Sequence, residues 1–292
     1  MSIFIRLFVF FTFFSFSQNK YEYIGVLKLN GDNSTVISYR LVFTEDNGQI
    51  IGYSVTDMEG KHETKNEIRG TFNKKTNELI FKEQSILYTK SKIESSSFCF
   101  VNFKGKVKII NQNSKIEGAF KGLFENNKKC IDGDITLVGN DKLIKQLTKI
   151  NKKLQKTSRV TNKQKKDLNP LRILDSLKLN RISADENLSI FSWSNAIKIE
   201  FWDAGKEDGD VVNLFHNGKV VLRNYNVKNH KRRLDFTLVN GDNIFEIEAV
   251  SEGAILPSTP KINIIDKERN YEMMANLKKG EKAKLTIIKK AP

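Results

Sequence analysis

Histidine, cysteine and proline are scarce here: 292 residues contain three, two and four of them respectively. His62, His216 and His230 stand in polar contexts without metal-ligand spacing, so a zinc centre built on paired histidines is not expected. The chain also lacks a Gly-x-Ser-x-Gly elbow, an HExxH helix motif and a glycine-rich phosphate loop. Neither cysteine has a suggestive catalytic partner. Carboxylate pairs of the glycosidase kind can be assembled from distant strands, but nothing in the sequence points to one. The expectation is therefore a protein that is not an enzyme, with a hydrolase as the weakest alternative. Beyond the first residues no stretch is apolar enough to cross a bilayer, so no transmembrane span is expected in the mature chain.

The first 17 residues read as an address. Met1 to Arg6 ends on a positive charge, and Leu7 to Phe14 is a short apolar core. Ser15 and Ser17 place small side chains before a cut near Ser17-Gln18. This is the layout of a secretory signal peptide, and the apolar run is short for a membrane anchor. No cysteine follows it, which argues against a lipoprotein. The expected location is secreted or periplasmic.

The net charge of +15 is unevenly spread. Residues 18–140 hold 18 Lys and Arg against 15 Asp and Glu, and residues 184–292 hold 17 against 16. Between them, residues 141–183 hold 13 against 3. Two nearly neutral modules are thus joined by one basic connector, and the high isoelectric point belongs to the connector. An exported chain makes nucleic acid a poor partner despite that charge.

The expected fold class is all-β: an N-terminal antiparallel barrel or sandwich, a basic helical linker and a C-terminal β-sandwich. In the first module Ile37, Tyr39, Leu41 and Phe43 alternate with Ser38, Arg40 and Val42, and Asn47-Gly48 marks a hairpin. Further strands follow at regular spacing with no helical period between them. Cys99 and Cys130 would close a loop of about 30 residues, worth roughly 3 kcal/mol in an oxidising compartment. Alternation puts Cys99 in phase with Val101 and Phe103, and Cys130 out of phase with Ile131 and Ile135. A bridge then requires at least one of them to sit at a strand end; otherwise they are separate thiols. In the connector Leu143, Ile144, Leu147, Ile150 and Leu154 fall at helical spacing among lysines. This basic helix is either a contact for anionic surfaces or a hydrated spacer. The second module returns to β patterning, with strong turn signals at Asn217-Gly218 and Asn240-Gly241.

The stretch Asp203-Ala-Gly-Lys-Glu-Asp-Gly-Asp210 gathers four acidic side chains and two glycines between strand-like segments. Such a loop is either a calcium site or a well-solvated turn. As a site, Asp203, Asp208 and Asp210 would supply carboxylates, Glu252 is the candidate remote ligand, and the spacing is not that of an EF-hand. Trp202 is out of phase with Ile197, Ile199 and Phe201, which marks it as a candidate ligand-facing ring beside Asp203. The Asp-x-Gly-x-x-Asp-Gly-Asp pattern, followed by a strand and Asn-Gly, resembles the metal loop of small calcium-dependent β-sandwich carbohydrate-binding modules, the xylan-binding type among them. It also resembles C-terminal modules of uncharacterised exported bacterial envelope proteins. The resemblance covers about 100 residues and implies that the ion at Asp203, Asp208 and Asp210 coordinates sugar hydroxyls. The expected function is non-catalytic binding in the bacterial cell envelope, with a glycan or envelope polymer as partner and calcium as cofactor. A structural or adaptor protein, in which calcium only rigidifies the sandwich, is the alternative.

Overall fold

The computed structural model describes residues 19–290 apart from 32–34, 93, 111–112, 159, 162–163, 166–167, 172–173, 175–179, 205–206, 254–257 and 268. The signal-peptide reading of residues 1–17 lies outside the described residues.

Eight strands, β1 (Asn19–Leu29), β2 (Val36–Asp46), β3 (Gln49–Thr56), β4 (Thr64–Asn73), β5 (Glu78–Thr89), β6 (Phe100–Ile110), β7 (Asn113–Leu123) and β8 (Gly133–Gly139), follow one another as an antiparallel meander. β8 pairs back onto β1 and β5 pairs with β6, so the sheet closes into an up-and-down barrel. The inward-facing side chains include Tyr23, Tyr39, Phe43, Phe72, Phe81, Phe103 and Phe120, all buried in one core. Aromatic bulk from six of the strands, with Ile50 of β3 and Ile135 and Leu137 of β8, packs the barrel interior. Close approach between strands is met by glycine: a Cβ at Gly52 would overlap the Val42 carbonyl, and one at Gly70 that of Ile80.

β5 is the unusual strand. Its first part, Glu78–Lys82, pairs with β6, and that ladder ends at Lys82–Asn102. Its pairing with β4 then slips twice, leaving Gln84 and Leu87 as extra residues. Bulges bend a strand and raise its twist. The end of β5 turns out of the barrel and pairs, through Tyr88 and Thr89, with β10 (Asn187–Ser192) of the second half.

That second half adds β9 (Arg181–Ser183), β11 (Ala196–Trp202), β12 (Asp210–His216), β13 (Lys219–Asn226), β14 (Arg232–Thr237), β15 (Gly241–Glu252), β16 (Lys261–Ile265), β17 (Asn270–Asn276) and β18 (Lys282–Lys289). One set runs β13-β12-β15-β18-β10 and continues through β5 into the barrel; the other is a five-stranded sheet, β14-β11-β16-β17-β9. Ile199, Phe201, Ile262 and Met273 of the second sheet share one core with Leu214, Phe245, Ile247 and Leu285 of the first. Two strands escaped the sequence reading. β17 carries Asn, Glu and Ala, which are depleted in strands, and β9 is three residues long inside the basic connector.

Helix α1 (Asn140–Lys156) leaves β8 without an intervening loop. The expected basic amphipathic helix is thus present over the expected span.

Cys99 and Cys130 are bonded. Cys99 lies just before β6, and Cys130 lies between β7 and β8, its N–H donating to Gly122 O at 3.0 Å. Both stand outside regular strands, which resolves the conflict of phase. Replacing both by serine removes a cross-link spanning 31 residues and should lower stability by about 3–4 kcal/mol. Urea unfolding of the double variant against the oxidised wild type checks this, and equal midpoints would show that the bridge contributes nothing.

Candidate functional site

The acidic segment 203–209 carries the chain from β11 in one sheet to β12 in the other. It is fastened to the turn after β13: Asp203 N–H donates to Lys228 O at 2.8 Å, and Glu207 accepts from Asn229 N–H at 2.7 Å. Asp210, the first residue of β12, is only 4% exposed. Its Oδ2 accepts from Thr259 N–H at 3.0 Å, while Oδ1 has no hydrogen-bond partner. Burial pushes this carboxyl up and the nearby Asp208 and Asp203 charges add to the rise, while the Thr259 N–H and the Ser258 hydroxyl beside it oppose it. Asp208 packs against Gly253, where a Cβ would come within 2.7 Å of its Oδ1; Gly253 has φ +63°, so glycine is needed on both counts.

Asp210 and Glu252 are direct partners across β12 and β15, which brings the remote residue to the loop. The Glu252 carboxylate accepts from Lys279 N–H at 2.7 Å. Among the described residues, no three His, Cys, Asp or Glu side chains form a group able to hold a metal ion. A cation fits the loop in one respect, the buried and unpartnered Asp210 oxygen beside two further aspartates. It fits less well at Glu252, which is engaged by the backbone.

Trp202 lies on the outer face of the second sheet, as its phase suggested, but its ring is not open. Lys231 Nζ stands 4.5 Å from the ring centre and Lys261 Nζ 5.9 Å. Lys231 is held there by Glu200, a residue the sequence reading passed over. Glu200 is buried on this outer face between its cross-strand partners Arg233 and Asn263. Arg233 Nη2 reaches its Oε1 at 2.5 Å, while Lys231 and Asn263 reach Oε2 at 3.0 and 3.2 Å. The Arg233 hydrogen bond, ahead of those from Lys231 and Asn263, holds the carboxyl down at about 2 despite burial. The clue in the sequence was a Glu on the same face as Trp202 with Lys231 and Arg233 two residues apart.

Among the described Phe, Tyr and Trp residues, the most exposed is the other tryptophan. Trp193, just after β10, is 52% exposed and borders a cleft of about 400 Å³ lined by Asn195, Asp266, Lys267 and Arg269. Its platform is cross-tied. Asp266 Oδ2 accepts from Ser192 Oγ at 3.0 Å and its Oδ1 from Arg269 N–H at 2.7 Å. Lys267 N–H donates to Ser194 Oγ at 3.1 Å. The Arg269 guanidinium lies 5.3 Å from the Trp193 ring centre and bonds Glu67 of the barrel at 2.8 Å. On its other side Trp193 borders a small pocket with Gln84, Ser85, Phe100, Glu125 and Lys290. The ring therefore stands at the seam between barrel and second half. Sequence alone gave Trp193 no priority, because the seam that exposes it is made by the bulged end of β5.

Comparison with protein-family models, with curated proteins and with solved structures returned no match.

The depressed Glu200 carboxyl has a measurable consequence. A folded-state value near 2 against about 4.5 unfolded gives stability that is full above the unfolded value and lost as pH falls toward 2. Glu200→Gln should cost about 2–3 kcal/mol at pH 7, and the deficit should shrink between pH 4.5 and 2. Thermal unfolding of both proteins across that range measures it; a deficit independent of pH would refute the ion-pair account.

Proposed function

We propose that this is an exported, non-catalytic binding protein of the bacterial cell envelope whose ligand is a glycan. The observation that carries the reading is the exposed Trp193 ring on a cross-tied platform beside a polar cleft. Sugar rings present axial C–H groups to aromatic faces and hydroxyls to amides, carboxylates and cations. Asn195, Asp266, Lys267 and Arg269 offer those groups within one cleft of suitable size for a small ligand. In this reading the second half is a β-sandwich of its two sheets, and the binding surface lies at its junction with the barrel rather than at Trp202.

A second reading is favoured by one feature, the unpartnered Asp210 oxygen in an acidic loop. Here the protein is structural or an adaptor, and calcium rigidifies the 203–210 segment. Asp210, Asp208 and Asp203 would hold the ion, which would supply the positive charge that the buried carboxylate lacks. Glu252 would act from across the strand pair.

Two experiments separate these readings. On a glycan array the wild type should respond to at least one envelope polysaccharide, and Trp193→Ala should weaken that response about tenfold or more. An array without response, or one unchanged by Trp193→Ala, removes the glycan site from the seam. In calorimetry, calcium should release or absorb heat with the wild type and not with Asp208→Ala. No heat with the wild type removes the metal.

A further inference from the structure

Helix α1 is strongly polarised, and neither reading above uses it. At about 100° per residue, Leu143, Ile144, Leu147, Ile150 and Leu154 fall within an arc of about 120°. The six lysines 142, 145, 149, 152, 153 and 156 fall within about 100° on the opposite side. Only Asp141 offsets them. No residue of the helix is buried; Ile144 is 36% and Ile150 52% exposed. The helix approaches β1, β7 and β8 of the barrel, its first residues Asn140–Lys142 border a cleft with Lys20, Tyr21 and Ser114, and β8 runs directly into it. Its far end is fastened within the connector, Lys165 Nζ donating to Gln155 O at 2.9 Å.

We propose that α1 is an interfacial helix that lays its aliphatic stripe into the surface of a bilayer rich in anionic lipid. Two features must be satisfied together, and this partner satisfies both. An acidic polymer would reward the lysines but leave five branched aliphatic side chains in water. A second copy of the helix would cover the stripe but would bring two strongly cationic segments together. A bilayer with anionic headgroups takes the stripe at the acyl boundary, and its surface potential attracts the lysines. The charge distribution agrees: the excess of positive charge is confined to residues 141–183, and the remainder is nearly neutral. At 17 residues the helix is about 25 Å long, sufficient to lie along a surface. The barrel, from which it emerges without a loop, would then be held at the membrane at its β8 end.

Co-sedimentation of the mature chain with vesicles tests the proposal. Vesicles of phosphatidylcholine with roughly 30% phosphatidylglycerol should bind it at least tenfold better than phosphatidylcholine alone, and about 0.5 M salt should weaken that binding. The double variant Leu147→Asp/Ile150→Asp should lose most of the binding, and so should Lys149→Gln/Lys152→Gln/Lys153→Gln. Both sets of side chains are partly or fully exposed, so unchanged thermal midpoints will confirm folding. Failure of the wild type to bind the anionic vesicles overturns the proposal. So does binding that survives Leu147→Asp/Ile150→Asp, which would indicate attraction by charge alone, as for an acidic polymer. A wild-type dimer in light scattering that this variant dissociates, without vesicle binding, assigns the stripe to a second copy.

Discussion

Glu83 sits where the barrel opens, and the junction between the two halves depends on how its carboxylate is held. The ladder between β5 and β6 ends one residue earlier. Val101 N–H, which would otherwise lose its acceptor there, donates to Glu83 Oε2 at 2.7 Å. Tyr39 and Ser54 hydroxyls donate to Oε1 at 2.9 and 2.5 Å. A side chain thus replaces a backbone acceptor at the point where two paired strands diverge. Burial pushes the carboxyl up, against the pull of these donors. Removing it would leave several buried polar groups unpaired at once, the situation that costs most in a protein interior.

Because β5 can leave the barrel at Glu83 without orphaning its neighbour, its last residues are free to pair with β10. The seam is then reinforced by side chains. Tyr88 Oη lies 2.7 Å from Asn180 Oδ1 and 3.0 Å from Glu63 Oε1, and Lys90 pairs with Glu186 at 3.1 Å. Arg269 bonds Glu67 and flanks Trp193. The candidate glycan platform is therefore built from residues of the second half and tied to the barrel through Glu67. The acidic loop, by contrast, lies between two strands of the second half alone.

Local patterns reported most of the fold. Period-two alternation located the barrel strands from β2 onward, although it divided β5 in two; helical spacing located α1, and a position at a strand end allowed the bond between Cys99 and Cys130. What the sequence hid depended on non-local geometry. Bulges at Gln84 and Leu87 carry no residue signature, so the shared role of β5 was not legible. Glu83 and Glu200 were passed over, because their burial comes from partners distant in sequence. Trp202 was correctly placed on the outward face, but cross-strand neighbours decide that lysines, not solvent, meet its ring. β17 was lost because its Asn, Glu and Ala residues are poor strand formers, a preference that pairing with β16 overrides.

Because β5, released at Glu83, joins the barrel to the second half through β10, the two halves should unfold as one unit. Both tryptophans, Trp193 and Trp202, lie in the second half, so their fluorescence reports on it, whereas far-UV circular dichroism reports on both. The decisive measurement is urea unfolding of Glu83→Leu followed by the two probes. The account predicts that both midpoints fall together, by an amount equivalent to roughly 3–5 kcal/mol. A fluorescence midpoint that stays at the wild-type value while the dichroism transition moves or splits would contradict it.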